Sequence, residues 1–250
     1  MNAQAVKRAL IDSQLYVALM GALFASFFML QEQSFRWPTF FLLFLTYFGG
    51  YRYTKFQERK YFQGILLFNI IAGLICIMLI IKNHNEIRLL KWSVICVLGF
   101  LYNSSFLKIN VRKIPLLKGL YVGIIWGLMN AWLGLPEFSL PIFLVSILYI
   151  TALILPFDIR DQKTDTIVTL PKLLGNGRTK TAAAALFLSS SLIAYRYLPA
   201  NYSPAFILSA LVAVVLVCYA KEDRKELYYS LWIESCSGLP LLFLYLGEII

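Results

Sequence analysis

Residues 157–165 read FDIRDQKTD and place Asp158, Asp161 and Asp165 in one short window of a chain that has only 13 acidic residues against 23 Lys and Arg. Their spacing is i, i+3 and i+7. If the helix before the window runs through it, all three carboxylates share one face. Three like charges on one face repel unless a cation holds them. Carboxylate oxygens are hard ligands that suit Mg²⁺, which keeps several waters and bridges to phosphate oxygens. The window therefore predicts Asp158, Asp161 and Asp165 as catalytic metal ligands that hold Mg²⁺ against the diphosphate of an activated lipid. The competing reading is a solvated charged loop. Against it stands the position: Asp158 follows Pro156 and Phe157 at the end of an apolar run, and acids at a membrane boundary are costly and usually functional.

That run, LPIFLVSILYITALILP, is one of many. The chain has 250 residues, of which 60% are hydrophobic and only 14% charged, and its mean hydropathy is +0.71. A soluble domain is about 45–50% apolar and about 25% charged. Long uncharged stretches point to a membrane protein, and their continuity without alternation points to helices rather than a barrel. The sequence predicts an all-α polytopic membrane protein in one domain, residues 1–250, with nine spans at roughly 12–30, 36–54, 62–81, 87–105, 117–134, 138–157, 181–198, 203–220 and 227–249. The first is read as a span rather than a cleaved leader, because it is longer than a signal h-region and lacks a convincing cleavage site. Cys76, Cys96, Cys218 and Cys236 lie in apolar segments with no CxxC spacing and read as buried, unreactive thiols. Asn69, Asn130 and Glu234 are polar residues inside spans. The two asparagines read as interhelical glue, and Glu234 is expected to face the bundle interior or water.

Placing the N-terminus in the cytoplasm sorts the basic residues. Eighteen Lys and Arg residues then lie on the inside and five outside, a positive-inside bias that supports both orientation and span count. In a bacterium the membrane is the plasma (inner) membrane. The net charge of +10 follows from topology and attraction to anionic lipid, with no nucleic-acid partner implied. A transporter is the less favoured class, since no internal repeat or matched pair of broken segments is visible.

After the window comes TIVTLPKLLGNGRTK. Pro171 and Gly175-Asn176-Gly177 mark a turn, and Arg178 then stands at a helix start, an ordinary place for an anion. The run from Phe157 to Lys180 resembles the second aspartate motif of the UbiA superfamily of intramembrane prenyltransferases, with its Thr-Leu-Pro and small-residue turn. LYNSSFLKINVRKIPLLKGLYVGIIWG, residues 101–127, resembles the family segment leading from the fourth to the fifth helix, with Tyr102, Lys108, Arg112 and Lys118 at its aromatic and basic positions. The resemblance implies a nine-helix UbiA-like bundle. It also implies Mg²⁺ held by two aspartate motifs, an isoprenyl diphosphate donor, a lipophilic acceptor, and Lys108, Arg112 and Lys118 as diphosphate ligands.

The first aspartate motif of that family is not matched. Its place holds TYFGGYRYTKFQERKYFQG, with Glu58 the one acid and so the one further candidate metal ligand. Arg52, Lys55, Arg59 and Lys60 bring positive charge there instead. Two readings follow. In the first the protein is a Mg²⁺-dependent prenyltransferase in which Arg52 and Lys55 help to grip the diphosphate. In the second it is a noncatalytic relative that binds an isoprenoid or lipid phosphate. The sequence leaves both open.

The charge bias predicts that cysteines introduced at Lys113 and Lys163 react with a membrane-impermeant maleimide only from the cytoplasmic side. One introduced at Asn85 should react only from the other side, and labelling with the sides reversed would refute the orientation.

Overall fold

In hydrocarbon a backbone with no alternating pattern satisfies its own hydrogen bonds as helix. The computed structural model is all-helical over the residues it describes, 11–32, 34–104 and 110–249. In chain order the helices are α1 (Leu15–Glu32), α2 (Trp37–Phe56), α3 (Phe62–Lys82), α4 (Glu86–Tyr102), α5 (Leu117–Leu128), α6 (Leu140–Arg160), α7 (Leu170–Tyr197), α8 (Tyr202–Cys218) and α9 (Leu239–Ile249). Two π-helical turns, Met129–Leu133 and Tyr228–Ile233, follow α5 and precede α9. Pro38, Pro141 and Pro171 each stand in a first turn, where the missing N–H costs nothing.

Among the described residues, α1, α3 and α6 are long and apolar enough to cross a membrane; Leu117–Leu133 and α8 are shorter apolar helices. Only 22% of the most apolar 18-residue stretch of α3 is buried by the protein, and Leu67, Ile70, Leu74 and Met78 face outward. An outward apolar face of that kind suits lipid, not water. Two expected boundaries move. The span expected from residue 181 is part of a helix that begins at Leu170 and breaks at Gly175, where φ is +79°, a conformation open to glycine. The span expected over 227–249 is divided between the second π-helical turn and α9.

A dry aromatic core joins α1, α6, α7 and α8. Phe24, Tyr149, Phe187 and Phe206 are fully buried, and the Tyr149 ring lies 5.1 Å from Phe206 and 5.2 Å from Phe187. The Tyr149 hydroxyl donates to the Cys236 carbonyl at 2.8 Å, so burial leaves it satisfied. Asn130 accepts from the Tyr47 hydroxyl at 3.2 Å and donates to Ser146 at 3.0 Å, while Asn69 donates to the Gly49 carbonyl at 3.2 Å. Both asparagines bridge helices, as expected for polar residues in apolar surroundings. All four cysteines are free; Cys76 and Cys236 are buried, Cys96 is partly so, and Cys218 is exposed, contrary to its expected burial.

Helices α5 and α6 lie closest where Gly119, Gly123 and Gly127 form a one-sided stripe. A methyl group at Gly123 would come within 2.6 Å of the Thr151 hydroxyl and 2.9 Å of the Ile147 carbonyl. The small side chain is what allows the approach. Lys91, placed outside by the charge sorting, is buried on α4 and donates to the carbonyls of Trp132, Leu135 and Pro136 at 2.9–3.3 Å. Trp132 is in the π-helical turn and Leu135 and Pro136 are in the bend after it, so Lys91 ties α4 to the end of that turn.

Gly123→Val should therefore cost about 1–3 kcal/mol through overpacking. Gly64→Ala, where nothing lies within 4 Å, should be neutral or gain up to about 1 kcal/mol. Thermal denaturation of the two variants in one detergent checks the contrast; equal effects would show that the α5–α6 approach does not depend on the stripe.

Candidate functional site

The aspartate window does not continue as helix. α6 ends at Arg160, and Asp161 is its C-cap, with its N–H bonded to the Phe157 carbonyl at 2.9 Å. The chain then turns, and the N–H of Asp165 bonds the Asp161 carbonyl at 2.8 Å. The expected single face of three carboxylates is thus corrected to two separate arrangements. Asp158 and Asp165 converge on Lys118 of α5, with Nζ–O distances of 2.8 and 2.9 Å. Asp161 turns to Arg160, which grips it at 2.6 and 2.9 Å in a two-pronged pair. The Arg160 guanidinium also lies over the rings of Phe157 and Tyr229 at 5.2 and 5.3 Å.

Lys118 is the second residue of α5, next to the positive end of that helix's dipole, while Asp158 is in the last turn of α6, at the negative end. Each charge is disfavoured by its own helix. Their contact relieves both. Lys118 is aimed by the residue two before it: Leu116 takes a left-handed φ of 64°, and its N–H bonds the Val168 carbonyl at 3.3 Å, tying the α5 start to the loop that carries Asp165. The three side chains are nearly out of solvent, at 12% for Lys118, 6% for Asp158 and 15% for Asp165.

Beside this cluster lies an apolar cavity of about 400 Å³ among α2, α3, α4 and α5. Its aromatic wall includes Tyr47, Tyr51, Trp92, Tyr102 and Trp126. The indole N–H of Trp92 is taken by Thr46 at 2.9 Å and that of Trp126 by the Tyr51 hydroxyl at 3.1 Å, so the wall is polar-satisfied there. Asn69 Oδ1, also on the wall, is buried with no hydrogen-bond partner. Tyr102 joins cavity to charge: it lines the first, stacks on Tyr121 at 5.7 Å, and is within electrostatic reach of Arg112, Lys118, Asp158 and Asp165. A wider groove of about 650 Å³ between the end of α7 and the start of α8 is lined by no charged side chain and offers nothing to an ionic ligand.

The other sequence candidates separate. Arg52 rests on the rings of Phe48 and Phe68 at 5.2 and 4.6 Å. Lys55 reaches the Asp12 carbonyl at 3.5 Å and lies within electrostatic reach of Glu234. Glu58 is exposed in the turn after α2, Arg112 is exposed in the 3-10 turn Val111–Lys113, and Arg178 is exposed on α7 past the Gly175 break. Lys108 lies outside the described residues. The cavity aromatics were not singled out from sequence, except Tyr102, because aromatic residues are common throughout membrane helices.

Mg²⁺ demands near-octahedral oxygen ligation. Among the described residues no group of three His, Cys, Asp or Glu side chains is placed to hold a metal ion. The oxygens of Asp158 and Asp165 that face each other are already bonded to an ammonium, and Asp161 is turned away. As folded, these residues do not fit the ion.

Replacing Lys118 by Gln leaves two nearly buried carboxylates facing each other and should cost about 3 kcal/mol. Asp161→Asn removes a more exposed pair, 27% and 28% accessible, and should cost less than about 1 kcal/mol. Denaturation of the two variants in detergent tests the ranking, which a smaller loss for Lys118→Gln would reverse.

Comparisons of the chain with protein families, with curated proteins and with solved structures return no match.

Proposed function

We propose that the protein is a multi-pass membrane protein with nine crossings and a cytoplasmic N-terminus, built as a UbiA-like bundle. Its reaction is transfer of an isoprenyl group from an isoprenyl diphosphate to a lipophilic acceptor. The observation that carries the reading is the joining, at Tyr102, of an apolar aromatic cavity to a charged cluster. A volume of about 400 Å³ falls in the range of small-ligand sites, ~300–1,000 Å³. The isoprenyl chain occupies the cavity and the diphosphate meets Lys118 and Arg112. In the transfer, the bond from the allylic carbon to the diphosphate oxygen breaks, diphosphate leaves as an anion, and the acceptor forms the new bond and gives up a proton. The tyrosine and tryptophan faces suit a developing allylic cation. Mg²⁺ is not part of this reading, because the aspartates are engaged with Lys118 and Arg160.

The same engagement favours a second reading, in which the protein binds an isoprenoid or lipid phosphate and does not turn it over. Only one side of the cavity then carries a head-group site, since Glu58 lies exposed on a turn and Arg52 is stacked on phenylalanines.

Geranylgeranyl diphosphate should bind the detergent-purified protein. Gly99→Trp should abolish binding, because Gly99 lines the cavity and a side chain there meets nothing within 4 Å. Mass spectrometry after incubation with lipophilic phenols and alcohols then separates the readings. A prenylated product supports transfer, and tight binding without product supports the noncatalytic protein. Failure of this donor and of shorter ones to bind would sink both.

A further inference from the structure

Lys118 sits where a cation must sit. Two carboxylates from different parts of the chain, one at the end of α6 and one beyond the following turn, meet on a single ammonium at 2.8 and 2.9 Å. These are short, charge-assisted contacts in a nearly water-free position. An ammonium has three donors. Two are spent on Asp158 and Asp165, which leaves one N–H. The nearest other charges are arranged to keep that geometry. Asp161 is neutralised by Arg160, so it neither competes for Lys118 nor adds a third carboxylate to it. Lys172 donates to the backbone carbonyl of Asp165 and so fixes the loop rather than the carboxylate. Arg112 is within electrostatic reach of Tyr102.

We infer that Lys118 is the resident cation of this site: the aspartate pair holds an ammonium in place of a divalent metal. A metal would have to displace a bonded ammonium from both carboxylates and still find its other ligands in water. Mg²⁺ gives up water reluctantly, which makes that exchange unfavourable. Removing the ammonium creates what the native site lacks, two adjacent carboxylates without a counter-ion.

The test is a Mn²⁺ titration followed by electron paramagnetic resonance, with no isoprenoid present, so its result stands apart from the fate of the transfer reading. Wild-type protein should leave the free Mn²⁺ signal unchanged. Lys118→Gln should quench it by binding the ion, and adding Asp158→Asn to that variant should restore it. Where Lys118→Gln does not fold, Lys118→Met keeps the length of the stem and carries the same test. Two results overturn the inference: wild-type binding of Mn²⁺ that Asp158→Asn or Asp165→Asn abolishes, or a folded Lys118 variant that takes up no Mn²⁺.

Discussion

The contact of Lys118 with Asp158 and Asp165 is the constraint to which the geometry at this end of the bundle answers. It places a cation at the positive end of one helix and an anion at the negative end of the next, an arrangement each helix alone resists. Neither charge is tolerable so far from solvent unless the other is in place. That requirement explains features otherwise unconnected. The glycine stripe brings α5 against α6 so that a lysine at the start of one reaches the end of the other. Leu116 accepts a left-handed backbone, which costs a non-glycine residue of order 1–3 kcal/mol. The hydrogen bond from Asp165 N–H to Asp161 folds the loop back so that the second carboxylate closes on the same ammonium.

The molecule is packed unevenly, and the unevenness leaves a cavity. Around α1, α6, α7 and α8, large aromatic side chains interlock and exclude water. Among α2 to α5 the facing residues include Gly49, Gly50, Ala72, Gly73, Ser93 and Gly99, too small to fill the gap between helices that the larger aromatics hold apart. The cavity therefore lies in the half with the small residues. The solid half anchors α6 and its terminal aspartate against the position that Lys118 must meet.

The helical character of the chain was plain in its sequence because hydrocarbon allows little else. The site was legible only in part. Asp158 and Asp165 were found, and so was Lys118, but the sequence could not show that they would bond each other. A one-face arrangement assumes the helix continues, and QKTD contains neither the glycine nor the proline that would have announced its end at Arg160. Arg88 and Lys91 were sorted as outward loop charges, yet their i, i+3 spacing puts them on one face with the buried Ile95. That spacing was the available signal. The cavity could not be read at all, since its walls come from four helices and its aromatics resemble any others.

The basic residues that replace the expected first acidic set were natural candidates to grip a diphosphate. Their positions argue otherwise. Arg52 lies over two phenylalanine rings with its Nε buried and without a hydrogen-bond partner, and Lys55 is drawn toward Asp12 and Glu234. Beside the cavity the paired charges are Lys118, Asp158 and Asp165, all within electrostatic reach of the cavity-lining Tyr102. An internal cation between Asp158 and Asp165 satisfies both carboxylates without any further acidic side chain, and the end of α2 offers only the exposed Glu58.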